Sequence, residues 1–164
     1  MTLIVEDGTG LIDAESYASV VEFKAYCYKR AMDYSLLTDE GIEVLLIKAT
    51  DYMVNVYRNR WQGRRTSGTQ SLDFPRYDVV VDEYSLLSNI VPPLVKNACI
   101  ELSFKADTVE LLPDIERATV KEKVDVIEVE YDKFSPAQTR YAQIDAMLLP
   151  LLSSNDSLSV KLVR

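Results

Sequence analysis

Between two strongly periodic apolar stripes the chain carries a segment, residues 58–91, in which no sustained helical period survives. A loop of that length inside a compact domain is uncommon unless it is functional or holds short structure of its own. The segment therefore restricts the fold to helices standing on either side of an aperiodic insert. Its densest part is Trp61–Arg76, WQGRRTSGTQSLDFPR, where arginines, aromatics, glycines and hydroxyls crowd together. Just beyond it, Val79, Val80 and Val81 predict a brief strand.

The stripe before the insert is the clearest in the chain. Ile42, Leu45, Leu46, Ala49, Met53 and Val56 recur at helical spacing over four turns, and core packing explains such a stripe better than a partner-binding groove. Thr38 caps this helix, and Asp39 and Glu40 sit where the dipole favours anions. Tyr52 and Tyr57 flank the stripe and are expected to carry their hydroxyls toward solvent. An earlier helix is predicted from about Val20 to Arg30. Ser19 and Glu22 form a capping box there, and Val20, Phe23 and Cys27 face inward. After the insert, Val91-Pro92-Pro93 opens a third helix with a wide apolar face of Leu94, Val95, Ala98, Cys99, Leu102 and Ala106, widened by Ile100 and Phe104. That width suits a central helix touched on several sides, ahead of one that also meets a neighbouring subunit.

The period changes at residues 119–131, TVKEKVDVIEVEY, to the two-residue alternation of strands. With Asp125 and Val126 in the turn, Val124 faces Ile127, Lys123 faces Glu128, Lys121 faces Glu130 and Val120 faces Tyr131. Each such pair contributes a few tenths to ~1 kcal/mol. Asp-Val is not a favoured tight turn, so a longer loop stays open, and a lone ribbon needs helices or another chain beside it. A last helix fits Tyr141–Leu149, with Ile144, Met147, Leu148 and Leu151 inward and Pro150 ending or kinking it. The tail alternates Leu158, Val160 and Leu162, the pattern of an arm that adds a strand to another sheet.

The expected fold is mainly α: a bundle of about four helices with a β-hairpin and extended N- and C-terminal arms. As one domain, 1–164, it divides into an N-terminal arm (1–15) and a three-helix core (16–112) holding the long loop 58–91. The hairpin (119–131), the C-terminal helix (140–152) and the tail (153–164) follow.

Composition narrows function mostly by exclusion. The chain has no histidine, which removes Ser-His and Cys-His nucleophile pairs, histidine zinc sites and an imidazole base. No carboxylate pair stands in a setting that would separate two pKa values, so no catalytic residue is nominated, and no cofactor or metal is expected. Cys27 and Cys99 lack metal or redox spacing and read as buried reduced thiols. No apolar run approaches the ~20 residues of a membrane helix, and the opening MTLIVEDGTG never builds the core of a secretory signal, so a cytoplasmic chain without membrane contact is expected.

Net charge is -8, yet residues 55–77 hold five arginines against the single acid Asp73. Two readings follow. Arg58, Arg60, Arg64, Arg65 and Arg76 could neutralise phosphates while Tyr57, Trp61, Phe74 and Tyr77 stack on bases. In the other, Trp61 and Phe74 anchor a long loop to the core and the arginines pair with acids of the protein. The acidic background favours the second. Gly63 and Gly68 among hydroxyls hint at a phosphate loop, but the lysine-plus-hydroxyl ending is missing.

The segment GRRTSGTQSLDFPR (Gly63–Arg76) resembles the GRRTS.TQ.L.WPR signature of a tailed-phage and prophage family often labelled DnaT-like single-stranded-DNA-binding proteins. The resemblance continues through LIVEDGTGLIDAESY (Leu3–Tyr17), KATDYM (Lys48–Met53), VPPLVKNACIELS (Val91–Ser103) and KEKVDVIEVEY (Lys121–Tyr131). Phe74 stands where tryptophan is usual, and the ribbon lacks the common glycine-proline turn. Members look similar to head-tail connector adaptors: small helical proteins with a β-ribbon and extended termini, assembled as a twelve-fold ring beneath the portal through which the genome passes.

The resemblance implies a structural protein of the virion neck, not an enzyme, made in the host cytoplasm. Its partners would be copies of itself, the portal, other neck or tail-completion proteins and the passing DNA. Arg58, Arg60, Trp61, Arg64, Arg65, Phe74 and Arg76 would make subunit or portal contacts, and Lys121, Lys123, Glu128 and Glu130 would serve the hairpin. The alternative is a single-stranded-DNA-binding protein using segment 57–77.

Overall fold

The structure, a computed structural model, describes residues 2–113, 121–124, 127–130 and 141–153. Helix α1 (Val20–Lys29) begins at the expected capping box: the Glu22 amide donates to Ser19 Oγ at 3.2 Å and the Ser19 amide to Glu22 Oε2 at 2.8 Å. Helix α2 (Asp39–Tyr57) begins at Thr38, whose hydroxyl accepts from the Gly41 amide. Helix α3 (Pro93–Ala106) follows Pro92. Helix α4 (Ala142–Leu148) tightens into a 3-10 turn, Leu149–Leu151, at Pro150.

The core lies chiefly between α2 and α3, which pack along their lengths, with α1 and α4 against them. Leu46 and Met53 from α2, Val95 and Leu102 from α3, and Ile144 and Leu148 from α4 have no solvent exposure. Each such side chain contributes about 1.5–3 kcal/mol by leaving water. Cys27 and Cys99 are free and buried, as expected. The tyrosine expectation is corrected. Tyr52 and Tyr57 are 5% and 1% exposed, and the Tyr57 hydroxyl donates to Asp145 Oδ1 at 2.8 Å on α4. A carboxylate from another helix supplied the partner that water was expected to supply.

Within residues 58–91 the chain forms two very short antiparallel ribbons. One pairs β1 (Arg64–Arg65) with β2 (Arg76–Tyr77), the other β3 (Val80–Val81) with β4 (Tyr84–Ser85). A third ribbon pairs β5 (Lys121–Val124) with β6 (Ile127–Glu130) in the expected register: Lys121 opposite Glu130, Lys123 opposite Glu128, Val124 opposite Ile127. The expected Val120–Tyr131 pair, and the strand-like tail beyond Ser153, lie outside the described residues.

The expected extended N-terminal arm is instead a closed loop. Val5 bridges Ser16, and the Glu6 amide donates to the Ser16 carbonyl at 2.9 Å. Glu6 explains the closure: its carboxylate, fully buried, accepts the amides of Gly8, Gly10 and Leu11, each at 2.9 Å. Gly8, at φ 104°, lies where a Cβ would stand 2.2 Å from the Asn89 carbonyl oxygen, so only glycine fits against the insert there.

Candidate interface around the arginine segment

The chain leaves α2 at Tyr57 and turns through Arg60 into Trp61, which bridges Leu152. The Gln62 amide donates to the Leu151 carbonyl and the Ser153 amide to the Arg60 carbonyl, so the segment is tied to the turn that ends α4. Trp61 is 5% exposed and Phe74 1%, their rings meeting edge to face with centroids 5.0 Å apart. Neither has a free face on which a base could stack. The Phe74–Pro75 peptide is cis.

Asp73 sits beneath the pair. Its carboxylate accepts Trp61 Nε1–H at 3.3 Å, and its amide donates to the hydroxyl of fully buried Tyr17 at 2.9 Å. Arg58 Nε lies 3.5 Å from Asp73 Oδ1, an ion pair without a hydrogen bond, so Oδ1 is left with no donor. Burial accordingly pushes the Asp73 carboxyl above its ordinary value, although Arg58 and the indole pull it down.

The arginines divide into two groups. Arg76 is buried, and its guanidinium donates to three carbonyls: Gln62 at 2.7 Å, Gly63 at 2.8 Å and Asp73 at 3.2 Å. Arg65 donates to the carbonyls of Gln70 at 2.9 Å and Gly68 at 3.4 Å. An aperiodic backbone leaves carbonyls without ladder partners, and a planar fork of donors satisfies several at once. Arg58, Arg60 and Arg64 reach solvent instead, each beside one acid: Asp73, Asp145 and Asp78. Arg64 also stands over the ring of Tyr77, itself 42% exposed.

The sequence-level candidates are therefore split. Trp61, Phe74, Arg65 and Arg76 build the loop from inside or beneath, while Arg58, Arg60 and Arg64 remain on its surface. Lys121, Lys123, Glu128 and Glu130 are brought opposite one another in the β5–β6 ribbon. Sequence reasoning missed Gln70, which is 2% exposed. Gln70 takes the Ser67 amide and the Thr66 hydroxyl on Oε1 and donates to Leu72 and Pro75 carbonyls. A lone glutamine in a polar loop gives no periodic signal, and neither do Asp73 or Glu6. Among the described residues no group of three or more His, Cys, Asp or Glu is placed to hold a metal, and no helix is long and apolar enough to cross a membrane.

A family model described as "Putative DnaT-like ssDNA binding protein" matches residues 1–164. No curated protein and no solved structure matches the chain.

Proposed function

The chain belongs to this family over its whole length, and we propose that it is a non-catalytic structural protein that assembles with copies of itself. The finer reading is a head-tail connector of a tailed phage or prophage, a ring beneath the portal in the virion neck with DNA passing through. The observation that carries assembly is where apolar surface lies. Val21, Tyr28, Leu36, Tyr84 and Leu87 are 75%, 82%, 96%, 77% and 68% exposed, while of the aromatics suited to bases Tyr57, Trp61 and Phe74 are buried and Tyr77 alone reaches solvent. Covering such side chains by a neighbour is favourable at ~25 cal/mol per Å². The acidic chain also suits a channel that must release DNA. The connector itself rests on the chain-long resemblance, and its twelve-fold count and portal partner come from that source alone.

Sedimentation velocity and electron microscopy, with the protein alone and mixed with its portal, test the reading. Closed rings are expected; a chain that stays monomeric at high concentration and forms no ring with portal would sink it.

A second reading, single-stranded DNA binding, has the family's description behind it, which names DNA and no connector. It would use the solvent-facing Arg58, Arg60 and Arg64 with Tyr77, since Trp61 and Phe74 are enclosed. Micromolar anisotropy of a labelled oligonucleotide with a steep salt dependence, lost in R58A/R60A/R64A, would favour it over assembly.

A further inference from the structure

The β3–β4 ribbon ends in a two-residue turn, Asp82-Glu83, between the paired residues Val81 and Tyr84. Both turn residues are left-handed, at φ 52° and 70°, a conformation usually given to glycine or asparagine. The ribbon spends backbone strain to present two carboxylates where Asn-Gly would turn freely. Tyr84, opposite Val81 beside the tip, is 77% exposed, so the tip offers negative charge with an aromatic shoulder on one face of the ribbon.

A surface of the opposite kind lies elsewhere in the fold. Helices α1 and α3 enclose a groove of about 560 Å³ whose lining includes Tyr26, Lys29, Arg30, Val91, Lys96 and Ile100. Lys96 is paired with Glu22 at 2.7 Å, and Glu101 accepts the Tyr26 hydroxyl at 2.8 Å. Lys29 and Arg30 are exposed, and neither forms an ion pair among the described residues. Arg30 lies 3.5 Å above the Tyr26 ring, which holds its charge at the rim. Here, in a chain of net charge -8, Lys29 and Arg30 add positive charge that no ion pair among the described residues offsets, above a floor of Val91 and Ile100.

We infer that the Asp82–Glu83 tip of one copy docks in the Lys29–Arg30 groove of the next, with Tyr84 covered against the groove's apolar floor. The occupant is a second copy because the chain itself displays the complementary element, and no groove-lining residue comes from the ribbon. Tip and groove are different patches, so the contact is heterologous, and repetition closes a ring when the rotation between copies permits. The inference rests on the self-assembly reading and names its surfaces.

Charge reversal tests it on the full chain, with association followed by sedimentation velocity and folding by circular dichroism. D82K/E83K and K29E/R30E are each expected to weaken self-association about a hundredfold. A mixture of the two reversed chains is expected to associate again, because each offers the other one matched contact, and the chain carrying all four changes should also recover. Unchanged association in both reversed chains, or no recovery on mixing, overturns these surfaces and leaves self-assembly standing. A monomeric wild type overturns self-assembly and these surfaces together. Oligonucleotide binding that is lost in K29E/R30E, with association unaffected by D82K/E83K, assigns the groove to nucleic acid and overturns the inference.

Discussion

In α2, Leu46 and Met53 lose contact with solvent by recurring at helical spacing, and the helix ladder satisfies the peptide groups behind them. In the Trp61–Arg76 segment, Trp61 and Phe74 are almost as deeply buried with no period at all, and side chains do the work of the ladder. Arg76 serves three carbonyls, Gln70 serves two carbonyls and accepts two donors, and Asp73 serves the indole. The difference teaches that polar richness in an aperiodic segment can report internal architecture as readily as a binding surface. It also makes the two regions fail differently. A helix loses stability in proportion to apolar volume, whereas the segment loses it through orphaned polar groups.

The sharpest way to break this comparison is Trp61→Ala. A surface aromatic would cost little, but removing this buried ring should cost about 4 kcal/mol in urea unfolding, at least as much as Leu46→Ala in α2 at about 3 kcal/mol. A cost below about 1 kcal/mol would return Trp61 to the surface. Next comes Arg76→Ala, expected to cost about 3 kcal/mol by leaving three carbonyls without donors. Arg76→Lys should recover only part of that, because a point charge cannot replace the fork; full recovery would mean that charge alone matters.

Asp73 gives a smaller effect with a definite sign. Burial raises its folded value above the unfolded one, so its contribution is fully present at acid pH and fades as pH rises through the folded value. Relative to Asp73→Asn, wild type should therefore lose stability as pH rises from the ordinary carboxylate value, about 4, through the raised folded value. Parallel curves from denaturant midpoints taken across that range would remove the buried charge from the account. Arg64→Ala should be nearly silent, within about 0.5 kcal/mol, since its pair with Asp78 is exposed on both sides. A thermal melt that drops by many degrees would place Arg64 with the internal group.

Legibility followed periodicity. The capping box at Ser19, the cap at Thr38, the proline entry to α3 and the β5–β6 register all come from local pattern, and the structure carries each of them. The N-terminal arm was not legible, because Glu6 closes it by accepting three amides from residues just ahead, a contact that a Val-Glu-Asp-Gly string does not advertise. The hydroxyl of Tyr57 was misplaced because its acceptor, Asp145, stands 88 residues away.

What the sequence determined by itself is therefore the four helices and the β5–β6 ribbon, the thiol state of Cys27 and Cys99, the absence of imidazole chemistry, and the positive charge gathered at Arg58–Arg76. Only the tertiary structure decided which arginines face solvent. Arg65 and Arg76 were claimed by loop carbonyls, and Arg58, Arg60 and Arg64 each stand beside a single acid, the buried Asp73 or the more exposed Asp145 and Asp78. The reason is physical: hydrophobic period is a property of neighbours in sequence, whereas satisfaction of a buried polar group depends on neighbours in space.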